Sequence, residues 1–347
     1  MPLPSLISLL TRARKLAHHE DTWECGVWLA RHWIVEHRQP PYRPNICMVI
    51  GDCGVPHLDL SKPPYTTDDI LDNLLRAMLK PAHGIITPRR PTRVRCADAH
   101  MASQIAPHLA EIGVACEVSA VSAAWRHHQH ACELKLNRGQ ELLAGLASIP
   151  GASLALQCHF YDLAAAYCSL APWRMLNDAY PLEIRCPATS APRYGVVMGS
   201  GGEIFGLSVY DTVEQARAIY RDDLPDTDAG QGALILFFDA PTSMSFEDLD
   251  AMAEQGWALA APIAYPILGR SVADNVIQPS LSDLVWMEGA LAALLRYLRE
   301  YLQLDGRRVL PAELTMPVQT ISGTVSVALR LPAFDNPKLR VARCSMR

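Results

Sequence analysis

The sequence predicts an α/β domain followed by an α+β domain with an antiparallel sheet. Short apolar runs alternate with amphipathic segments up to about residue 121, while predicted strands in the second part come in pairs before helices. A length of 347 residues suits two domains of ordinary size. The predicted parts are a helical segment over 1–44, an α/β domain over 45–148 and an α+β domain over 149–347.

Composition narrows the class of protein. Half of the residues are hydrophobic, 19% are charged and the formal net charge is -5. Such a chain can bury a core. It lacks a broad basic field, so a nucleic-acid partner is possible through a local basic patch but is not favoured. Binding to a protein partner, or to a second copy of the chain, is possible. The positive charges near the start follow the apolar run, and no apolar run is long enough for a membrane span, so we expect a cytoplasmic protein.

The first predicted domain is built from alternating strands and helices. Residues 5–18 and 26–37 have helical periodicity. The run NICMVIGD at 45–52 is a predicted strand, and a helix over 66–80 follows it. Its Thr66 and Asp69 have the spacing of a capping box.

A strand–helix–strand unit comes next. PTRVRCAD at 91–98 and VACEVSAV at 114–121 are predicted strands on either side of a helix that Gly113 ends. This spacing predicts parallel pairing with a right-handed crossover. Residues 123–148 continue in a helical pattern, and Pro150 with Gly151 marks the predicted domain boundary.

The second domain has a different order of elements. We predict helices through residues 162–173, after Thr212, from Ser245 to Gly256 and over 282–302. Predicted strands cover LEIRC, ALILFF, 313–318 and 323–330.

The segment YGVVMGSGGEIFGLSVYD at 194–211 holds the densest glycine cluster. A dinucleotide loop needs GxGxxG followed by a helix, and a P-loop needs a lysine. Here alternation of Phe205, Leu207 and Val209 with smaller or polar residues indicates a strand instead. We therefore predict the turn of a β-hairpin, with Met198 and Ile204 on its two strands.

Two segments resemble uncharacterised domains. PTRVRCADAHMASQIAPHLAEIGVACEV resembles a domain of bacterial proteins of unknown function. DLAAAYCSLAPWRMLNDAYPLEI, with YGVVMGSGGEIFGLSVY after it, resembles a second domain that often follows the first. The resemblance implies a two-domain layout and assigns no catalytic residue.

A histidine cluster is the first candidate site. His127, His128, His130 and Cys132 lie within six residues, at helical spacings that let pairs share a metal such as Zn²⁺. A structural site needs about four ligands, and only Cys158–His159 offers another pair nearby. A polar helix face is the alternative.

A set of carboxylates is the second candidate site. Asp52 and Asp98 each follow a predicted strand, and Glu133 lies in the next helix. An acid, a glycine turn and an acid at a later strand end resemble the layout of RNase H-like domains, in which paired carboxylates hold two Mg²⁺ or Mn²⁺ ions. Aspartate after a strand is also ordinary turn chemistry.

The basic stretch RRPTRVR at 89–95 is the third candidate, and we interpret it as a solvated strand entrance. No catalytic set is complete. The sequence therefore favours a non-catalytic binding or interaction module, with a metal-dependent phosphoryl hydrolase or nuclease on Asp52, Asp98 and Glu133 as the alternative.

Overall fold

The computed structural model describes residues 4–51, 54–82, 87–140, 142–220, 231–272, 275–306 and 308–335. The chain divides into two compact units, Met1–Glu141 and Leu142–Arg347. The predicted boundaries, at 44/45 and 148/149, differ from this division. Among the described residues, no helix combines the length and the apolar character that crossing a bilayer requires.

In its described residues, unit 1 is a mixed five-stranded sheet with four α-helices. Its elements in chain order are α1 (Pro4–Ala13), β1 (His18–Leu29), β2 (Asn45–Gly51), β3 (Gly54–Ser61), α2 (Thr67–Leu79), β4 (Arg90–Cys96), α3 (Ala99–Glu111), β5 (Ala115–Val118) and α4 (Ala123–Leu136). The strand order is β3-β2-β1-β4-β5. Strands β1, β4 and β5 are mutually parallel, whereas β2 is antiparallel to β1 and to β3.

The predicted helix over 26–37 is wrong, because β1 occupies His18–Leu29. Along this strand Trp23 and Cys25 are buried, while the alternating residues Glu24 and Gly26 are half-buried. Hydrogen bonding to β2 on one side and β4 on the other stabilises an extended chain here, and this pairing outweighs local helical periodicity. The first 44 residues thus supply the central strand of unit 1.

The two faces of this sheet are covered differently. Helices α1, α2 and α3 bury one face, around Trp23, Cys25 and Val94. On the other face α4 buries only Trp125, which packs against Met48 and Ile50. Helix α4 ends at Leu136, so the predicted helical stretch to 148 is too long. The predicted parallel unit of β4, α3 and β5 is confirmed, and so is the capping box of Thr66 and Asp69.

Unit 2 is an antiparallel eight-stranded sheet with helices on both faces, which confirms the predicted antiparallel sheet. Its elements are α5 (Leu154–Leu170), β6 (Leu182–Arg185), β7 (Arg193–Met198), β8 (Phe205–Tyr210), α6 (Val213–Ala218), β9 (Leu234–Asp239), α7 (Phe246–Gln255), β10 (Tyr265–Val272), β11 (Asn275–Ile277), α8 (Leu281–Arg296), β12 (Leu304–Asp305), β13 (Arg308–Val309), β14 (Ala312–Thr320) and β15 (Gly323–Leu331). The order is β11-β10-β9-β8-β7-β6-β15-β14, and β12 pairs with β13 separately. Helices α5 and α8 cover one face, and α6 packs on the other.

An ion network ties α8 to the sheet. The buried Asp283 completes the capping box of α8 with Ser280. The same carboxylate accepts hydrogen bonds from Arg193 at 2.9 Å and from Arg270 at 2.6 Å and 3.0 Å. Asp211 bridges both arginines from the other side, at 2.8 Å and 2.6 Å. The Asp283 carboxylate therefore both caps α8 and pairs with the largely buried guanidinium groups of Arg193 and Arg270.

We expect Asp283→Asn to lower the free energy of unfolding of the protein by about 3 kcal/mol, because it leaves two poorly solvated arginines short of a counter-charge. Urea denaturation measures this loss.

The contribution of Asp283 also depends on pH. Burial alone would raise the pKa of Asp283, but hydrogen bonds from Arg270 and Ser280 hold that pKa below its usual range. A lowered carboxyl pKa stabilises the fold above the unfolded-state value, about 3.9, and that stability is lost as pH falls below it.

Asp211→Asn is the matched control, since its side chain is 41% exposed and water compensates more of the lost charge. An equal loss in the two variants, or a loss for Asp283→Asn that is unchanged down to pH 2, would contradict this account of the network.

Candidate functional site

A small cleft lies in unit 1 at the carboxyl ends of the parallel strands β4 and β5. Its volume is about 100 Å³. The residues that line it come from β1, the end of β4, the start of α3 and the segment before α4: Glu24, Cys25, Gly26, Val27, Arg95, Ala97, Asp98, Met101, Ser119, Ala120, Val121 and Trp125. The carboxyl edge of parallel strands is where ligands gather in open α/β sheets.

The floor of the cleft depends on Gly26. A Cβ atom at this position would lie 3.0 Å from two ring carbons of Trp125. The indole therefore rests directly on the backbone of β1. Ser122 fixes the start of α4, because its Oγ accepts from the backbone N–H of Trp125 at 3.0 Å and donates to Glu24 Oε2 at 2.9 Å. These residues give no signal in the sequence, because the helical periodicity over 26–37 hides the position of Gly26 on a strand.

Asp98 is the N-cap of α3. Its Oδ1 accepts hydrogen bonds from the backbone N–H groups of His100 at 2.7 Å and Met101 at 3.0 Å. The first N–H groups of a helix have no partner within the helix, so these bonds satisfy them and fix the Asp98 carboxylate at the first turn of α3. The second oxygen, Oδ2, receives no hydrogen bond from any described residue.

The charges around the cleft leave it with an excess of acid. Glu24 and Asp98 face one cation, Arg95. Arg95 also lies 3.9 Å from Glu117, which pairs with Arg93 at 2.9 Å. The arginines of the basic stretch at 89–95 are thus engaged with acids or backbone carbonyls of unit 1.

The structure describes two of the three residues of the predicted carboxylate set, Asp98 and Glu133. Asp52 lies outside the described residues. Strands β2 and β4 are not neighbours, because Glu24 of β1 pairs with Ile50 on one side and with Arg95 on the other. Since β2 and β4 run in opposite directions, their carboxyl ends do not point to one edge of the sheet. Glu133 is half-buried on α4 and does not line the cleft beside Asp98. The three-carboxylate site stays a prediction.

The histidine cluster lies on α4. His127 and His130 are exposed, while His128 and Cys132 are half-buried. The rings of His127 and His128 have centroids 5.6 Å apart. Across the described ranges, no three His, Cys, Asp or Glu side chains come together in a way that could hold a metal ion. The metal site on these residues therefore gains no support here and stays a prediction.

The glycine cluster forms the predicted hairpin turn. β7 and β8 pair antiparallel, with Met198 opposite Gly206. Gly199 and Gly202 have φ values of 125° and 82°, which L side chains rarely adopt. Ile204 stands just before β8 rather than within it. No helix starts within 200–206, so this stretch is not a phosphate-binding loop of the dinucleotide type.

Two family models match the chain. Residues 9–124 match a domain of unknown function (DUF6930), and residues 158–272 match another domain of unknown function (DUF7309). Each covers less than half of the chain, one within each compact unit, and neither assigns an activity. No match is found among curated proteins. The order of the two matches is consistent with a two-domain protein of unknown function.

We expect Gly26→Ala to push the Trp125 indole off β1 and to lower the free energy of unfolding by about 1–3 kcal/mol, the usual cost of overpacking. Urea denaturation of Gly26→Ala, Trp125→Phe and the double variant forms a double-mutant cycle. Because the smaller ring relieves the clash, the double variant should lose less than the sum of the single losses. Strictly additive losses would show that the two residues do not press on each other.

Proposed function

We propose that the chain is a non-catalytic interaction module whose unit 1 cleft accepts the cationic end of a lysine or arginine side chain from a protein partner. The observation that carries this proposal is the composition of the cleft, two carboxylates and one aromatic ring around a space of about 100 Å³. Sites for small-molecule ligands usually measure about 300–1,000 Å³, so a single side chain suits this volume better.

The chemistry of the lining favours a cation. Glu24 and Asp98 outnumber Arg95, and the Trp125 ring supplies an aromatic surface of the kind that attracts ammonium and guanidinium groups. Hydrogen bonds from Ser122 and from the α3 backbone already hold the two carboxylates in position. Little side-chain entropy is therefore lost when a cation arrives.

Titration with Nα-acetyl-lysine amide and Nα-acetyl-arginine amide tests the proposal, with the indole N–H of Trp125 observed by NMR. We expect a saturable shift that Asp98→Asn weakens about tenfold, since a hydrogen bond to a charged group contributes about 1.5–3 kcal/mol. Asparagine caps helices as well as aspartate does, so the fold is kept. Ala120→Trp should abolish the shift by filling the exposed mouth of the cleft.

Glu111→Gln is the matched control, because it removes an exposed acid from the far end of α3 and should leave the affinity unchanged. An equal response to neutral acetamide, or an affinity that neither Asp98→Asn nor Ala120→Trp alters, would rule out the proposed recognition of a cation.

A metal-dependent hydrolase or nuclease is the second candidate. It is supported by the strand order of unit 1, β3-β2-β1-β4-β5 with β2 alone reversed, which is the order of RNase H-like domains. An acid also follows β4, at Asp98. Against catalysis, the side chains that β1 turns toward the covering helices, Trp23 and Cys25, are buried and carry no carboxylate.

We expect no cleavage of single- or double-stranded nucleic acid above background with Mg²⁺ or Mn²⁺, measured by gel assay. Cleavage that Asp52→Asn and Asp98→Asn both abolish, in variants with unchanged melting, would replace the interaction proposal with the hydrolase. Glu133→Gln then tests the third predicted ligand.

A further inference from the structure

A second candidate site lies in unit 2, on the face of the sheet that α5 and α8 do not cover. Leu182, Ile184 and Leu329 point into the core on the helix side. Their neighbours along β6 and β15 point to the other face, because side chains alternate along a strand. There β6, β15 and β14 form an open groove of about 440 Å³, lined mainly by Glu183, Arg185, Glu313, Thr315, Ala328 and Arg330.

A buried carboxylate organises the groove. Glu183 is only 5% exposed. Its Oε1 accepts from Nε and Nη2 of Arg185 at 2.9 Å and 2.7 Å, and its Oε2 accepts from Nη2 of Arg330. Arg330 is held further by the Ala333 carbonyl oxygen at 3.0 Å. One carboxylate thus fixes two guanidinium groups side by side and neutralises only one of their charges.

Both arginines keep donors free for a ligand. The Arg185 side chain is 60% exposed and that of Arg330 is 47% exposed. A guanidinium group carries five N–H donors, and the bonds to Glu183 and Ala333 use only part of each set. Within the part of the chain that the structure describes, neither arginine pairs with an acid other than Glu183. The unused N–H groups therefore face the groove or the solvent beside it.

The opposite wall limits the charge of the ligand. Glu313 of β14 lies directly across the ladder from Arg330, and Thr315 lies across from Ala328. The small Ala328 leaves room between the flanking side chains, and Thr315 offers a hydroxyl. Because Glu313 would repel a ligand with many negative charges, the groove suits a ligand that places one anionic group on the arginine side.

We propose that this groove binds a small molecule through a single oxyanion group, a carboxylate or a phosphate, held by Arg185 and Arg330. Planar guanidinium forks match the oxygen atoms of both groups. The volume falls within the range of about 300–1,000 Å³ that is typical of small-molecule sites. This site is in a different unit from the cleft of unit 1 and does not depend on that proposal.

The test is a titration of the full chain with inorganic phosphate and with acetate at constant ionic strength, with chloride as the reference anion. The Nε–H signals of the arginines, followed by NMR, report binding. We expect saturable shifts of the Arg185 and Arg330 signals with at least one oxyanion. Tighter binding of phosphate would assign a phosphate-bearing ligand, and tighter binding of acetate a carboxylate-bearing one.

Variants separate recognition from a purely structural role. Arg330→Gln should weaken oxyanion binding about tenfold or more, since it removes charged hydrogen bonds. Glu313→Gln should strengthen binding, because it removes the repelling charge from an exposed position. Arg174→Gln, at an exposed arginine of unit 2 outside the groove, should change nothing. If Arg330→Gln does not fold, Arg185→Gln replaces it.

Equal shifts with chloride and with both oxyanions would overturn the proposal. So would an affinity that a folded Arg330→Gln or Arg185→Gln variant leaves unchanged. A purely structural role of the arginines predicts altered melting in these variants and no opposite effect of Glu313→Gln on affinity.

Discussion

The architecture of unit 1 depends on a central strand, β1, that is hydrogen-bonded along both edges to strands running in opposite directions. Glu24 stands where the two ladders overlap, between Ile50 of β2 and Arg95 of β4. Because β4 follows only the first part of β1, the later part of β1 extends past the end of β4 and forms one side of the cleft. Gly26 lies in that later part, and the absence of a side chain there admits the Trp125 indole. This contact sets where α4 packs on the sheet.

Unit 2 uses one electrostatic arrangement twice, with different solvent access. Asp283 and Glu183 are both buried carboxylates that accept from two arginines. The arginines around Asp283 are 11% and 19% exposed and have a second acid, Asp211, so their charges are used inside the fold. Those around Glu183 are far more exposed and share a single acid. The first arrangement therefore stabilises the packing of α8, whereas the second leaves positive charge available at the surface.

Local chemistry made a large part of the fold predictable from sequence. The capping residues Thr66 and Thr212, the C-terminal Gly256 and the turn at Gly199–Gly202 act through backbone groups within a few residues of themselves. β1 was missed for the opposite reason. Its extended form is stabilised by partners on β2 and β4 that lie far from it in sequence, such as Met48 opposite Gly26 and Val94 opposite Trp23, and no short window around Gly26 contains them.

The candidate sites were harder to predict, because they depend on side chains that only the folded sheets bring together. Asp98 is predictable as a candidate, since an acid after a strand is a local signal, but its role as the N-cap of α3 differs from the predicted metal ligand, which stays a prediction. Glu24 and Trp125 give no such signal, because they are far apart in sequence and come together only where the start of α4 packs on β1. In unit 2, Glu183 and Arg330 are likewise distant in sequence, and pairing of β6 with β15 joins them. Neither pair leaves a spacing motif in the sequence.

The carboxylates of the cleft are both engaged at the starts of helices. Asp98 uses one oxygen to hold the first turn of α3, and Glu24 uses one to hold Ser122, the N-cap residue of α4. A carboxylate that accepts such hydrogen bonds is held in one orientation. That suits a static negative surface for a cation. A general acid or base must instead exchange a proton in each cycle, and a proton on Oδ1 of Asp98 would remove the acceptor that holds the first turn of α3.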